Sequence, residues 1–473
     1  MSKKGVDLVV FSGLGKIGSG SFILIYHRKS HQAIIIDCGI DVSYLIQDLE
    51  TVKDPADGCW IHVFDWIKIT EERDGPIEIL GIFITHIHLD HIGGIPFLLK
   101  EICYDRGRPP IPIFCSAFSR RFLISYLSDK LGDGTEGAER SLDIKIEAIE
   151  GHLRLDPFQI IPFPAPHSTP GNLAYGVVVA NQRFFFSSDF KLRLNGDADR
   201  IAYLKSISSF KPDFLVLDGT GALRPGYTGL ESDVEASLNE IIINYAGLLY
   251  FTFFSTNLWR LLGIHRFCKE HGIPWTFLGA SVKSILLASG DPELVTIALT
   301  GTVPGAKVVV AAGCLGNPGS AAERLSRGET VNGYRIEPND KVVGSTSQIP
   351  NCRRQQLNMI RDFSALRAPV FLDSTYPDDL FLRPGYWTDY KKNLHVSGHG
   401  GQSDLRDTID TLKSRRVKYH RQWQWRSPQI LAYHADPVSM AALKALAVND
   451  CGIPSENVHC PVPADGEIVT FSF

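Results

Sequence analysis

The chain has 473 residues, 44% of them hydrophobic, enough for about two or three domains with sizeable buried cores. Its formal charge of −4 leaves no global basic field to draw in nucleic acid, so any such binding has to use a local groove. Nine cysteines, an odd count without a C-x-x-C pair, argue against a disulfide framework and for reduced thiols at a cytoplasmic address.

The N-terminus, MSKKGVDLVVFSG, is charged and then only briefly apolar, unlike a signal peptide. No apolar run reaches membrane-spanning length. Asp7 to Ser12 reads as a strand. Gly13-Leu14-Gly15-Lys16-Ile17-Gly18 formally fits G-x-G-x-x-G, with Asp37 near the expected acidic position. That motif needs a helix to follow. Ser21 to His27 is instead β-rich, with Ala33 to Asp37 as its natural partner, so a turn at a sheet edge is the better reading. The Walker pattern fails because Ser19 stands where lysine is needed.

Ile79 to Thr85 is an isoleucine-rich strand. It stops at His86-Ile87-His88-Leu89-Asp90-His91, followed by Gly93, Gly94 and an apolar helix-like run. On an extended backbone His86 and His88 project to one side. The adjacent Asp90 and His91 point differently and can serve a second centre. Nitrogen and carboxylate donors without a thiolate suit zinc or manganese with open positions. A surface histidine cluster without metal is the alternative, and the spacing and strand context speak against it.

Ile111 to Cys115 reads as a strand, Arg120 to Leu131 as a helix, and Gly132 to Gly137 as an exposed turn. Ile144 to Ile149 and Phe158 to Phe163 are strands, the second running into a proline-bounded loop with His167. Tyr175 to Ala180 and Arg183 to Ser187 form a hairpin around Asn181-Gln182 and lead to Ser188-Asp189-Phe190-Lys191. An Asp there could equally cap a helix. Asp213 to Asp218 is another strand with a terminal carboxylate.

From there the chain changes character. Strand-like runs (Leu248–Phe254, Trp275–Phe277, Lys307–Ala311, Lys341–Ser345, Pro369–Leu372) alternate with helix-like ones (Ser232–Tyr245, Leu258–His271, Cys352–Leu366). Such alternation predicts a parallel α/β domain. It looks inserted, because ligand-type sequence resumes at Leu394-His395-Val396-Ser397-Gly398-His399. A helix-like run, Ser403 to Ser414, and a basic-aromatic segment, Arg415 to Arg426, follow. Gln429 to Tyr433 is a strand delivering His434, and Gly466 to Phe473 is a last strand. Arg with Trp and Tyr suits stacking on single-stranded bases. A solvated helix extension or a partner surface explains the same segment equally well.

Taken together, these stretches resemble the β-CASP branch of the metallo-β-lactamase superfamily, and within it the ribonuclease J family, over nearly the whole chain. Besides H-x-H-x-D-H, the resemblance rests on Leu217-Asp218-Gly-Thr-Gly with Glu231 downstream, Phe254-Ser255-Thr256-Asn257-Leu-Trp-Arg260, Gln348-Ile349-Pro350 and His395-Val-Ser-Gly-His399. It implies an α/β fold: an αββα metallo-β-lactamase sandwich with an inserted β-CASP α/β domain. Residues 1–218 would form the first part of the hydrolase, 219–376 the β-CASP domain and 377–473 the second part.

The resemblance also implies two divalent metal ions, zinc with manganese as the alternative. His86, His88 and His167 would hold one ion and Asp90, His91 and His434 the other, with Asp189 bridging. Asp218, His399 and His434 match the family's motifs A, B and C. Histidine at motif C goes with RNA-processing members, so single-stranded RNA is the implied partner, and the implied activity is 5′→3′ exonuclease with endonuclease activity as an addition. His399 oriented by Asp218 is the candidate general acid, and Asp90 joins them in the catalytic set. A pocket for a substrate 5′-phosphate would use Ser255, Asn257, His395 and Ser397; ordinary turn capping is the alternative for Ser255 and Asn257.

Leu315-Gly316-Asn317 stands where the family has Gln-Gly-Glu, and Asn351-Cys352-Arg353 where it tends to Gly, Asn and Glu. Both departures bear on the substrate path more than on the metals. The family's C-terminal domain, which helps it oligomerise, is not matched, so a homodimer and a protein partner both stay open. The rival readings are a DNA nuclease of the same fold, a small-molecule hydrolase, and a partner-dependent nuclease or RNA-binding subunit. His434 speaks against the first, the inserted domain with His395–His399 against the second, and the complete ligand set against the third.

Overall fold

In a computed structural model, residues 5–42, 61–105, 107–131, 144–348, 352–376, 388–413, 415–419, 422–464 and 467–473 are described. The turn expected at Gly132 to Gly137 and the Ile349-Pro350-Asn351 stretch lie outside them.

The first sheet is laid down by β1 (Val6–Ser12), β2 (Phe22–His27), β3 (Gln32–Ile36), β4 (Glu78–Phe83), β5 (Ile113–Cys115) and β6 (Ile146–Ala148), in spatial order. β1 and β2 pair antiparallel, so the glycine-rich segment between them is a sheet-edge turn and no helix follows it. Gly13 is needed there. It has φ 92°, and a Cβ on it would fall 2.3 Å from the Tyr433 ring. The Tyr433 hydroxyl bonds to Phe22 N, Ser12 O and Ser21 Oγ, and Gly13 O accepts from His434 N at 2.7 Å. The turn thus fastens the first sheet to a strand end of the second.

The second sheet comprises β7 (Leu153–Leu155), β8 (Phe158–Pro164), β9 (Leu173–Val179), β10 (Gln182–Phe186) and β11 (Phe214–Asp218). The β9–β10 hairpin turns through Ala180 and Asn181, both at positive φ. The two sheets face each other. In β1, Val6, Leu8 and Val10 enter the core shared with Phe158, Tyr175, Val177 and Phe184 of the second sheet. Val9 and Phe11 turn to the opposite face, where they meet Val63 and Ile67 of helix Ile61–Asp74. This period-two alternation makes a sandwich with helices outside.

A third sheet then interrupts the sandwich. β12 (Leu249–Thr252), β13 (Trp275–Leu278), β14 (Val308–Ala311), β15 (Lys341–Gly344), β16 (Val370–Asp373) and β17 (Thr388–Lys392) pair in the order β13-β14-β12-β15-β16-β17, every pair parallel. β17 lies beyond residue 376, where the sequence reading ends this unit. Its Thr-Asp-Tyr-Lys-Lys sequence has no apolar run to announce a strand.

β18 (Arg415–Tyr419) and β19 (Gln422–Arg426) form a separate antiparallel pair from the basic-aromatic segment. The chain next returns to the sandwich. β20 (Gln429–Tyr433) runs parallel to β11, β21 (Val458–His459) flanks β20, and β22 (Val469–Ser472) closes the first sheet beside β1. No helix among the described residues is long and apolar enough to cross a membrane.

Candidate metal centre

The centre forms where several strand ends of the sandwich meet. β4 runs into the His86–His91 loop, β8 into His167, β10 into Asp189 and β20 into His434, while Asp218 ends β11. Loops at the carboxyl ends of strands carry side chains on a rigid support. Three groups place one possible ligand atom per residue within 4.8 Å of one another: His86, His88, His167 and Asp189; Asp90, His91 and His434; and Asp189, Asp218, His399 and His434. The first two can hold one divalent ion each, with Asp189 between them. Asp189 Oδ2 lies 3.3 Å from His91 Nε2 and 3.7 Å from His86 Nε2.

Hydrogen bonds on the outer side of each ring decide which nitrogen faces inward. His91 Nδ1–H donates to Asp37 Oδ2 at 2.7 Å, which leaves Nε2 as the inward atom. Thr85 Oγ1 donates to Asp37 Oδ2, so its lone pair accepts from His86 Nδ1–H at 3.1 Å. His167 Nδ1–H donates to Gly398 O at 2.9 Å. Thr220 Oγ1 donates to His434 O and accepts from His434 Nδ1–H at 3.1 Å. Four histidines therefore present Nε2. His88 is the other way round: its Nδ1 lies 2.9 Å from His86 Nε2 and 3.4 Å from His167 Nε2. His91 Nε2 is buried with no well-formed hydrogen bond, only the 3.3 Å contact to Asp189 Oδ2, and a divalent ion between the two atoms would satisfy both. The donor set fits two divalent ions.

The buried charges sort the histidines into two classes. Burial, reinforced by neighbouring imidazoles, holds His86 and His167 well below the ordinary range, and burial brings His88 to about 4. Neutral imidazoles of this kind can donate a lone pair to a cation. For His91 burial works the same way, but the Asp189 and Asp37 carboxylates outweigh it and raise the ring well above the ordinary range. For His434, Asp189 and Asp90 overcome burial and lift it to about 9. Burial would raise Asp90 and Asp189; the His434 contact and the His91 charge hold Asp90 well below the carboxylate range, and the His434, His91 and His399 charges do the same for Asp189.

His399 stands at the edge of the centre. Its Nδ1–H donates to Asp218 Oδ2 at 2.9 Å, and its Nε2 lies 3.8 Å from Asp189 Oδ2. Burial opposes its charge, but Asp218 and Asp189 together raise its pKa above the ordinary value. The 395–399 loop is fixed by Arg224 Nη1 and Thr228 Oγ1, both donating to His399 O at 2.8 Å, and by His399 N donating to Ser397 Oγ.

The side chains expected to bind a phosphate have mixed surroundings. Asn257 is buried and caps helix Leu258–Glu270, its Oδ1 accepting from Arg260 N, while its Nδ2 donates to Glu231 Oε1. Ser255 Oγ donates to Ser281 Oγ at 3.1 Å. His395 Nδ1 is buried without a hydrogen-bond partner, and burial with the nearby Arg260 charge lowers this ring to about 3.

Sequence reasoning missed Asp37, Thr85 and Thr220, which orient ligands from separate segments. It also missed Asp404, whose carboxylate accepts from Leu192 N, Thr228 N and Gly401 N and so ties the loop after Asp189 to the loop after His399. Asp37 carried a signal, a carboxylate ending an apolar strand, but nothing linked it to His91.

A family model described as anti-Pycsar protein Apyc1 matches residues 20–201. Ribonuclease J of Mycobacterium tuberculosis is 26% identical over 446 residues, covering 90% of this chain and 70% of that protein. Ribonuclease J of Thermus thermophilus is 26% identical over 459 residues, covering 89% and 70%. Ribonuclease J of Mycolicibacterium smegmatis is 24% identical over 479 residues, covering 96% and 73%. A solved structure of a protein of unknown function from Enterococcus faecalis superposes with a TM-score of 0.56 at 14% identity, covering 99% of this chain and all of that one, so the fold is shared along the whole length.

Proposed function

We propose that this chain, a ribonuclease J-like protein with a metallo-β-lactamase sandwich and an inserted β-CASP unit, is a two-metal ribonuclease that hydrolyses phosphodiester bonds of single-stranded RNA. The observation that carries the reading is the position of Asp189, 3.7 Å from His86 Nε2 and 3.3 Å from His91 Nε2, against both His/Asp groups, with the His399–Asp218 pair beside it. The hydrolase is built from residues 1–218 and from the segment that follows β17, with the β-CASP unit between them.

His86, His88 and His167 would hold one ion, Asp90, His91 and His434 the other, with Asp189 shared. Nitrogen and oxygen donors without thiolate favour zinc, with manganese as the alternative. Ions at these positions would supply Lewis-acid stabilisation of the charge that develops on the phosphodiester. As a water oxygen bonds to phosphorus and the P–O3′ bond breaks, His399 donates a proton from Nε2 to the leaving 3′-oxygen, because Asp218 takes Nδ1–H and turns Nε2 towards Asp189. The Asp218 and Asp189 carboxylates raise the His399 pKa above its ordinary value, which favours the protonated ring a general acid needs.

The activity is 5′→3′ exonucleolytic, with endonucleolytic cuts as an addition. A 5′-monophosphate is held by Ser255, Ser397 and His395, whose buried Nδ1 has no hydrogen-bond partner. Asn257, already engaged at both ends of its amide, shapes this pocket from its cap position. A homodimer or a protein partner is compatible with this activity.

The test is hydrolysis of one 3′-labelled single-stranded RNA carrying a 5′-monophosphate or a 5′-hydroxyl, beside a DNA copy. Stepwise shortening of the monophosphate RNA alone supports both the exonuclease and the pocket. Internal cuts indifferent to the 5′ end remove the pocket and keep the centre. Equal or faster DNA cleavage overturns the RNA assignment.

A further inference from the structure

The third sheet does more than flank the sandwich. Residues 253–257 connect β12 to helix Leu258–Glu270, and this connection reaches across to two of the proposed metal ligands. Thr256 Oγ1 lies 3.0 Å from His88 Nε2. Three residues on, Trp259 Nε1 donates to the backbone carbonyl of His167 at 3.1 Å. From the sandwich side, Thr169 Oγ1 lies 3.1 Å from the same His88 Nε2.

The proton assignment follows from these contacts. Thr169 Oγ1 donates to Thr256 O at 3.4 Å, so its lone pairs are what it offers to His88. Nε2 is then the protonated nitrogen, and Nδ1 carries the lone pair that faces His86 and His167. The other four histidines are held by Asp37, Thr85, Gly398 and Thr220, the last only two residues past the end of β11. Among the described residues, His88 is the one whose outer ring nitrogen meets the connection after β12, with Thr169 of the sandwich as its second partner.

We infer that Thr256 is a positioning residue for His88. Its hydroxyl, together with that of Thr169, fixes the ring with Nδ1 inward, and ion binding at the His86–His88–His167 group thereby depends on the inserted unit being seated against the sandwich. The inference rests on reading that group as metal ligands. Loss of an outer partner of a ligating histidine typically weakens metal binding about 10–100-fold.

The experiment uses the intact chain with zinc as the probe. Zinc stoichiometry is counted by native mass spectrometry, and dissociation constants are taken from competition with a chromophoric chelator. The variants are Thr256→Val, which keeps the shape, Thr256→Ser, which keeps the hydroxyl, and Thr169→Val with Thr256→Val. Thr256→Val should weaken one of two zinc sites several-fold and the double variant about 10–100-fold. Thr256→Ser should stay within about twofold of wild type, and excess zinc should restore the kcat of Thr256→Val. Unchanged zinc affinity in the double variant overturns the inference while leaving the two-metal reading intact. So does an equal loss in Thr256→Ser, which would mark a packing role. A wild-type chain that takes up no zinc or manganese overturns the two-metal reading and this inference with it.

Discussion

Glu231→Gln removes a buried carboxylate that joins the loop after Asp189 to the inserted unit. Glu231 is 5% exposed and accepts from Lys191 Nζ at 3.2 Å, Arg260 Nη2 at 3.0 Å and Asn257 Nδ2 at 3.3 Å. Lys191 and Arg260 are themselves buried, so the variant strands two cations away from water. Breaking such a pair costs about 3–5 kcal/mol. Burial would raise the Glu231 carboxyl, yet the Arg260 and Lys191 charges depress it from 4.5 to about 2. A shift of that size corresponds to ~3 kcal/mol, in line with the first figure. Lys191 is itself held below its ordinary range, because burial, with the Arg260 charge, outweighs the Glu231 and Asp404 carboxylates.

The pH dependence has a definite sign. Because the folded carboxyl is depressed, its contribution is fully present above the unfolded value of 4.5 and fades as pH falls towards about 2. Denaturant unfolding followed by tryptophan fluorescence, at a series of pH values, reads both effects. The expected result is a loss of about 3 kcal/mol at pH 7 that narrows below pH 4.5. A loss under about 1 kcal/mol, or one independent of pH, refutes the reasoning.

Three further outcomes follow from the geometry. His399→Ala should lower kcat on RNA by a factor on the order of 10²–10⁴ with RNA affinity little changed, and an unchanged rate at saturating RNA would remove His399 as the acid. Gly398→Ala would put a Cβ 2.5 Å from His167 Cε1 and displace that ring, so zinc affinity by chelator competition should fall about 10–100-fold. Asp37→Ala takes the acceptor from His91 Nδ1 and from Thr85, and one zinc equivalent should be lost on dialysis while the far-UV circular dichroism is retained.

The candidate ligands were legible because each follows an apolar strand and is a type that binds cations. The run His86–His91 announces itself by spacing alone. His167, Asp189 and His434 become candidates only once that run implies partners elsewhere. The parallel character of the inserted unit was legible from its alternating runs, but its strand order was not, since β13 and β14 fold back to one side of β12. β17 escaped because a parallel edge strand of polar residues has no hydrophobic signature. The residues that aim the ligands escaped for another reason. Asp37 and His91 are 54 positions apart, and Thr256 and His88 are 168. A lone Asp or Thr carries no mark of a contact made at that distance in the chain.

The most direct test of the two-metal ribonuclease is reconstitution of the metal-stripped chain. Zinc or manganese is added in steps, bound ions are counted by native mass spectrometry, and hydrolysis of a 5′-monophosphorylated RNA is followed in parallel. The account predicts no hydrolysis in excess chelator and activity that rises as up to two ions bind. It also predicts that His86→Ala or Asp189→Ala abolishes cleavage while the fold survives. RNA cleavage by the chelated chain, or by Asp189→Ala at the wild-type rate, would contradict it.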